Sequence, residues 1–308
     1  LFTVEMLRGM QERGDLTQDA QGRWIEGPEL DWATLPARIE GIIGERIGRL
    51  SPDQRQILQL ASVEGETFTA EVIARSQGAK VPEVVRLLSG NLDKQHRLVR
   101  SQGSRHLTPG GQRLSHYRFR HILFQRYLYG SLDDVERAYR HEEVGNILEQ
   151  LYENHTEAVN LELARHFQLA GLIEKAVAYL QQAGERAVRL SAHEEVIAHV
   201  TQALALLETL PDAEQHARQE LELQLALGRA FIVMKGSGAP EVERAFVRAR
   251  DLCQQVGDGS QLVQVLWGLC VFYVIRGELR GTGYKTAQQC LQVAQSQKEP
   301  FLLIGGHM

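Results

Sequence analysis

The chain has 308 residues, 43% hydrophobic and 24% charged with only 8 prolines, a composition that excludes a disordered chain and leaves room for two or three domains. Its formal charge of −5 hides an asymmetry: residues 1–93 carry 10 Lys and Arg against 15 Asp and Glu, residues 94–126 carry 8 against none, and residues 127–308 carry 16 against 24. Cys253, Cys270 and Cys290 contain no Cys-x-x-Cys pair, which excludes a zinc ribbon or disulfide framework and points to a reducing, cytoplasmic compartment.

Val4, Leu7 and Met10 share a helical face that ends at Gly14-Asp15. A linker from Asp19 to Pro36 follows, where Trp24, Ile25 and Trp32 among its glycines and prolines suggest a short strand or loop packed on a neighbour. Ile39, Ile42, Ile43 and Ile47 then form a helical stripe, and Ser51-Pro52-Asp53 opens a helix that runs to about Val63. Thr67-Phe68-Thr69 leads into a helix from Glu71 to Ser76, and Pro82 opens another through Leu92. Arg97 to Ser101 and Ser115 to Arg120 alternate as half-buried strands do, around a loop from Gln102 to Gln112. Helices followed by a hairpin are the order of a winged helix. Leu98 and Val99, with Tyr117 and Phe119, would attach the wing.

From Ile122 onward only helices are expected, broken at Gly171, Pro211, Gly236-Ser237-Gly238, Gly257 with Gly259, and Gly281 with Gly283. Ala164, Phe167, Gly171, Ala176, Leu180 and Ala183 match the tetratricopeptide spacing through one helical pair, small residues falling where helices cross closely. Leu227-Gly228 with Phe231, then Ala245, Ala249 and Leu252, repeat it loosely; so do Trp267-Gly268, Ala287, Leu291, Ala294 and Pro300. The expected fold is therefore mainly α: a winged-helix domain at 37–132 and a tetratricopeptide-like α-solenoid at 133–308.

The run from Tyr117 to Leu132, Tyr-Arg-Phe-Arg-His-Ile-Leu-Phe-Gln-Arg-Tyr-Leu-Tyr-Gly-Ser-Leu, with Arg137 and His141 beyond it, resembles the junction between winged-helix and repeat regions in signalling ATPases of the STAND type. Ile43 to Ile47, leading to Leu50, resembles the start of their winged-helix portion, and Leu1 to Leu7 the end of their nucleotide-binding module. That resemblance implies an AAA-like ATPase module ahead of residue 1, with 1–36 its end and linker, and often a cyclase, kinase or transcription-factor module besides. The chain opens at Leu1 without Met and closes in mid-pattern at Met308, which reads as a segment of something longer. No basic leader with an apolar run and a cleavage site opens it.

Chemistry is expected to be absent from this segment. There is no Gly-Lys dipeptide, hence no phosphate-cradling loop, and the Gly103 to Gly111 stretch reads as a hairpin turn. ATP or ADP would belong to the parent protein. His141-Glu142-Glu143 and His193-Glu194-Glu195 each lack the second His of a zinc-protease helix. His121 is weighed as a sensor of a nucleotide at a domain interface against a packed or capping histidine, and the second reading is favoured. Val265 to Ile275 is well short of the ~20 residues of a membrane span. A protein partner, or another domain of the same chain, is expected on the repeats, and no membrane. The alternative is DNA binding by the basic island: Arg97, Arg100, Arg105, Arg113, Arg118, Arg120 and Arg126, with Lys94 and two aromatics among them. Against it, those arginines could instead dock onto acidic surfaces within the protein.

Overall fold

The computed structural model is mainly helical, with a small amount of sheet. The structure describes residues 16–18, 24–26, 37–106, 113–211 and 213–297. The expected helix at 4–13, most of the Asp19 to Pro36 linker, the tip of the Gln102 to Gln112 loop and Pro300 lie outside the described residues. Two compact units emerge, Leu1–Leu151 and Tyr152–Met308. Whereas the sequence reading places the change after residue 132, the helix at 134–152 groups almost wholly with the first unit.

In the first unit, β1 (Leu16–Gln18) and β2 (Trp24–Glu26) pair antiparallel. α1 (Ala37–Gly48) buries Ile43 and Ile47. Ser51 then starts α2 (Pro52–Glu64) with a reciprocal cap: its hydroxyl accepts the Gln54 N–H at 3.2 Å, and the Gln54 side chain accepts the Ser51 N–H at 3.1 Å. Two otherwise unpaired donors are thereby satisfied, and Pro52 sits where no N–H is needed. Thr67–Thr69, expected only as a lead-in, is a strand, β3. α3 (Ala70–Ser76) and α4 (Val81–Leu87) follow, and α4 widens into a π-type turn over Leu88–Gln95.

β4 (Val99–His106) and β5 (Arg113–Phe119) extend further into the loop than alternation suggested. Their ladder slips between Ser101 and Gly103, where Gly103 takes φ +90°. β5 is the central strand, antiparallel to β3 on one side and β4 on the other. Phe68 of β3 is fully buried, 6.1 Å from the Tyr117 ring and 5.2 Å from the Phe119 ring. With Leu98, Val99 and Leu114, also buried, these side chains join sheet to helices. α5 (Ile122–Gly130) packs on α1 and α2, and α6 (Asp134–Tyr152) completes the unit.

The second unit, after a short 3-10 turn at Glu153–Ala158, contains only helices among its described residues. They are α7 (Asn160–Leu169), α8 (Ile173–Arg189), α9 (His193–Leu207), α10 (Ala213–Lys235), α11 (Pro240–Val256), α12 (Gly259–Ile275) and α13 (Thr282–Gln297). Each packs chiefly on its neighbours in sequence, as in an α-solenoid. Most turns fall at the expected glycines; Gly171 and Gly257 both take φ +78°, a left-handed conformation that ends helices cheaply only at glycine. The break between α8 and α9 had no such signal, because Ser191 carries it at φ 56°.

Two core clusters fill the stack. Val177, Leu180, Val196 and Val200 belong to one, and Val242, Phe246, Leu252 and Leu266 to the other. α10 feeds both, with Leu223 and Ala230 in the first and Ala217 and Leu221 in the second. In the second cluster the Phe246 ring of α11 is wedged between two glycines. A Cβ on Gly228 of α10 or on Gly268 of α12 would lie 2.7 Å from opposite edges of that ring, so the Leu-Gly and Trp-Gly pairs are where three helices close on one aromatic.

Candidate functional site

The six residues that carry the repeat spacing meet at the α7–α8 hairpin. Ala164, Phe167, Ala176, Leu180 and Ala183 are buried, and Gly171 makes the turn between them. Phe167 stacks on Tyr179 at 5.7 Å, with the Lys175 ammonium 4.4 Å from its ring centre. These residues build the scaffold and are not exposed to a ligand.

A groove lies beside them, along α8 and α10 with α9 beneath. Gln181 donates to Glu222 at 2.9 Å and accepts from Gln219 at 3.2 Å, while His216 approaches Glu174 at 3.8 Å. The pairing advances in the same direction on both helices, so α8 and α10 run parallel. The cavity between them is about 490 Å³. Gly184 forms part of its floor, where a Cβ would come within 3.2 Å of Val200; the close approach of α8 and α9 thus depends on the missing side chain. Val188, Ala226, Ala230 and Val233 make the walls apolar, and Val188 and Val233 remain 50% and 62% exposed.

Charged side chains rim this groove but are largely held at home. Gln181 also donates to Glu185 at 3.3 Å. Arg189 pairs with Glu157 at 2.9 Å, and Arg229 donates to the carbonyl of Leu225 at 3.1 Å. What the groove offers is therefore apolar surface with polar edges. On α12, Trp267, Val271 and Val274 recur four and three residues apart; Trp267 and Val274 are exposed. Sequence reasoning missed the groove because its lining comes from three helices, and only exposure at helical spacing on α8 and α10 could have signalled it.

The basic island is divided. Arg118 donates through Nε to Glu66 at 2.8 Å, and Arg120 donates to Asp93 at 2.6 Å and to the Val99 carbonyl at 3.0 Å. Arg113 donates to Ser104 at 2.8 Å, and Arg126 has an interaction of its own. Arg97, Arg100 and Arg105 are exposed and have no ion-pair partner among the described residues. Arg105 lies beside His116, whose pKa is held below the usual histidine value, mainly by burial.

The junction run is a set of structural ties. His121 caps α5, its Nδ1 accepting the Leu123 N–H at 3.2 Å. Tyr117 shares a hydrogen bond with Ser89 at 2.8 Å, and Gln125 donates to the Ser62 carbonyl at 2.7 Å. Tyr127 lies against Gly44, where a Cβ would be 2.9 Å from the phenol oxygen. Tyr129 bonds the buried His141 at 2.9 Å, and Arg137 donates to the Tyr129 carbonyl at 3.2 Å while stacking over its ring. Ser76 donates to Glu143 at 2.6 Å. His193, by contrast, begins α9 and lines the groove.

Among the described residues, no group of three or more His, Cys, Asp or Glu is placed to hold a metal. Burial and Asp258 push the Cys253 thiol up to about 11, and the hydrogen bond between the free thiols of Cys270 and Cys290 raises Cys270 and lowers Cys290, so neither Cys253 nor Cys270 is a thiolate nucleophile near neutral pH. Tyr273 is pushed up to about 12 by burial and its hydrogen bond to Glu243.

No protein-family model and no curated protein matches the chain. Among solved structures it is similar to a Signal Transduction ATPase with Numerous Domains (STAND) protein with a tetratricopeptide repeat sensor, from Pyrococcus horikoshii. The identity is 13% over 87% of this chain and 48% of that one, with a TM-score of 0.35. This chain spans about half the length of that protein, and at such a score the likeness carries no weight for function.

Proposed function

We propose that the chain is a regulatory, non-catalytic region of a multidomain signalling ATPase, whose tetratricopeptide-like repeats bind a protein partner or another domain of the same chain. The apolar groove along α8 and α10 carries this reading, because exposed valines facing a walled cavity gain from a covering apolar segment whereas scattered ones do not. The first unit is read as a winged helix: a three-stranded sheet with β5 central, short helices before it, and a hairpin as the wing. Its role is to relay occupancy of the repeats to a nucleotide-binding module outside residues 1–308, which would supply ATP or ADP binding. A reducing, cytoplasmic setting suits its three free thiols.

The test is affinity capture with the intact chain, comparing Val188→Arg and Ala226→Arg with the unmodified protein. A partner retained by the unmodified chain and lost on the order of tenfold or more from either variant fits the groove. Equal retention by all three would remove it.

The DNA-binding alternative has one feature in its favour, the exposed Arg100 and Arg105 on β4. Because Arg118 and Arg120 are engaged in ion pairs, they are the wrong residues on which to test it. Replacing Arg100 and Arg105 by Glu should abolish any salt-sensitive duplex binding, and duplex affinity unaffected by that change excludes the wing.

A further inference from the structure

At one end of the helical stack, two connections and the helix ends flanking them expose apolar and cationic side chains together. The last turn of α10 presents Val233 and Met234, 62% and 43% exposed; the end of α12 presents Val274 and Ile275, the connection to α13 presents Leu279, and the first turn of α13 presents Tyr284, each 59% or more exposed. The turns abut: a Cβ on Gly238 would lie 3.0 Å from Ile275 Cγ2. Every residue from Val274 to Thr282 is exposed. Interleaved with them are Lys235, Arg276, Arg280 and Lys285. Lys235 pairs with Glu241 at 2.7 Å and Arg276 approaches Glu278 at 3.7 Å. Arg280 and Lys285 have no carboxylate partner among the described residues, which leaves this surface net positive on a chain of net charge −5.

We propose that this turn surface docks peripherally on an anionic lipid bilayer. Large apolar side chains clustered at helix ends and in the turn between them suit the headgroup boundary, where they bury while flanking Lys and Arg reach lipid phosphates. Tyr284 adds an aromatic body with a polar tip, a combination favoured at that depth. Charge complementarity selects the occupant: an acidic bilayer satisfies Arg280 and Lys285, whereas a second copy of the same surface would oppose them. No described helix is long and apolar enough to cross a membrane, so the contact is superficial. It is independent of the groove, which lies along the helices and is lined by other residues except for Val233.

Co-sedimentation of the full chain with phosphatidylcholine vesicles, with and without about 30% phosphatidylserine, tests the proposal. Binding only to the phosphatidylserine vesicles is expected, weakening as salt rises from about 0.1 M to about 0.5 M. Arg280→Glu with Lys285→Glu should lower partitioning by about tenfold or more, and Ile275→Ser with Leu279→Ser should do so by a similar factor. All four sites are exposed, and circular dichroism of both variants should match the unmodified chain. Equal binding to neutral vesicles, no binding to either kind, or partitioning unchanged in both variants overturns it. So does lipid-free self-association that scales with concentration and vanishes in the Ile275→Ser, Leu279→Ser protein, since the surface would then join two copies.

Discussion

The two units are stabilised by contacts of very different sequence range. In the first, β3 pairs with β5 about 50 residues on, Arg118 reaches Glu66 across 52 positions and Arg46 reaches the His96 carbonyl across 50. In the second, each helix rests mainly on the one before and the one after. A closed, non-local core loses cohesion everywhere when one member is removed, whereas a stack loses it locally. The first unit should therefore respond to a core substitution as one piece, and the second pair by pair.

The sharpest way to break this comparison is to remove one phenyl ring from each unit. Phe68→Ala and Phe246→Ala delete side chains that are 0% and 5% exposed, and each should cost about 3–5 kcal/mol. Hydrogen exchange should tell them apart. Phe68→Ala is expected to raise exchange throughout β3, β5, α2 and α3, while Phe246→Ala raises it in α10 to α12 and leaves α7 and α8 protected. Equal spread through both units would show that the stack folds as one block.

How far each unit can be read from sequence follows the same division. The stripe of Ile43 and Ile47 gave α1, the Ser-Pro-Asp start gave α2, and glycines gave most helix ends in the stack, because all of these signals are local. β3 was missed because three residues have no periodicity and its partner strand is distant. The π-type turn after α4 and the break at Ser191 left no compositional mark. The basic island was visible as a charge count, but which arginines are spoken for depended on Glu66 and Asp93, outside the island. The junction run was singled out by resemblance; that nearly every polar member ties one element to another is a property of the folded unit.

Smaller substitutions sharpen the comparison within the junction. Tyr129→Phe deprives the buried His141 of its 2.9 Å partner and should cost about 1 kcal/mol by urea denaturation. Arg118→Ala, although it cuts a well-formed pair with Glu66, acts on side chains 42% and 37% exposed. It should cost well under about 1 kcal/mol. If Arg118→Ala instead matched Tyr129→Phe, the basic island would be a determinant of stability in its own right.

The finest separation of the units is by pH, because burial acts on opposite charge types. His116 in β5 has its pKa lowered, first by burial and further by Arg105, against a raising influence from Glu71. Its unfolded form therefore takes up a proton that the folded form resists. That contribution to stability is complete above the unfolded value of about 6.5 and declines as pH falls below it. Glu162 in α7, exposed along part of its side chain, has its pKa raised by partial desolvation against the helix, offset in part by Arg165. Here the folded form holds the proton more tightly, so acidification through the raised pKa stabilises α7 until the unfolded carboxyl is protonated as well. Moving from about pH 7 to about pH 5 should thus weaken the first unit at His116 and strengthen the second at Glu162. Site-resolved exchange across that range should show β5 losing protection and α7 gaining it. His116→Gln should flatten the first trend only and Glu162→Gln the second only; a variant that flattened both would mean that the two units share one cooperative transition.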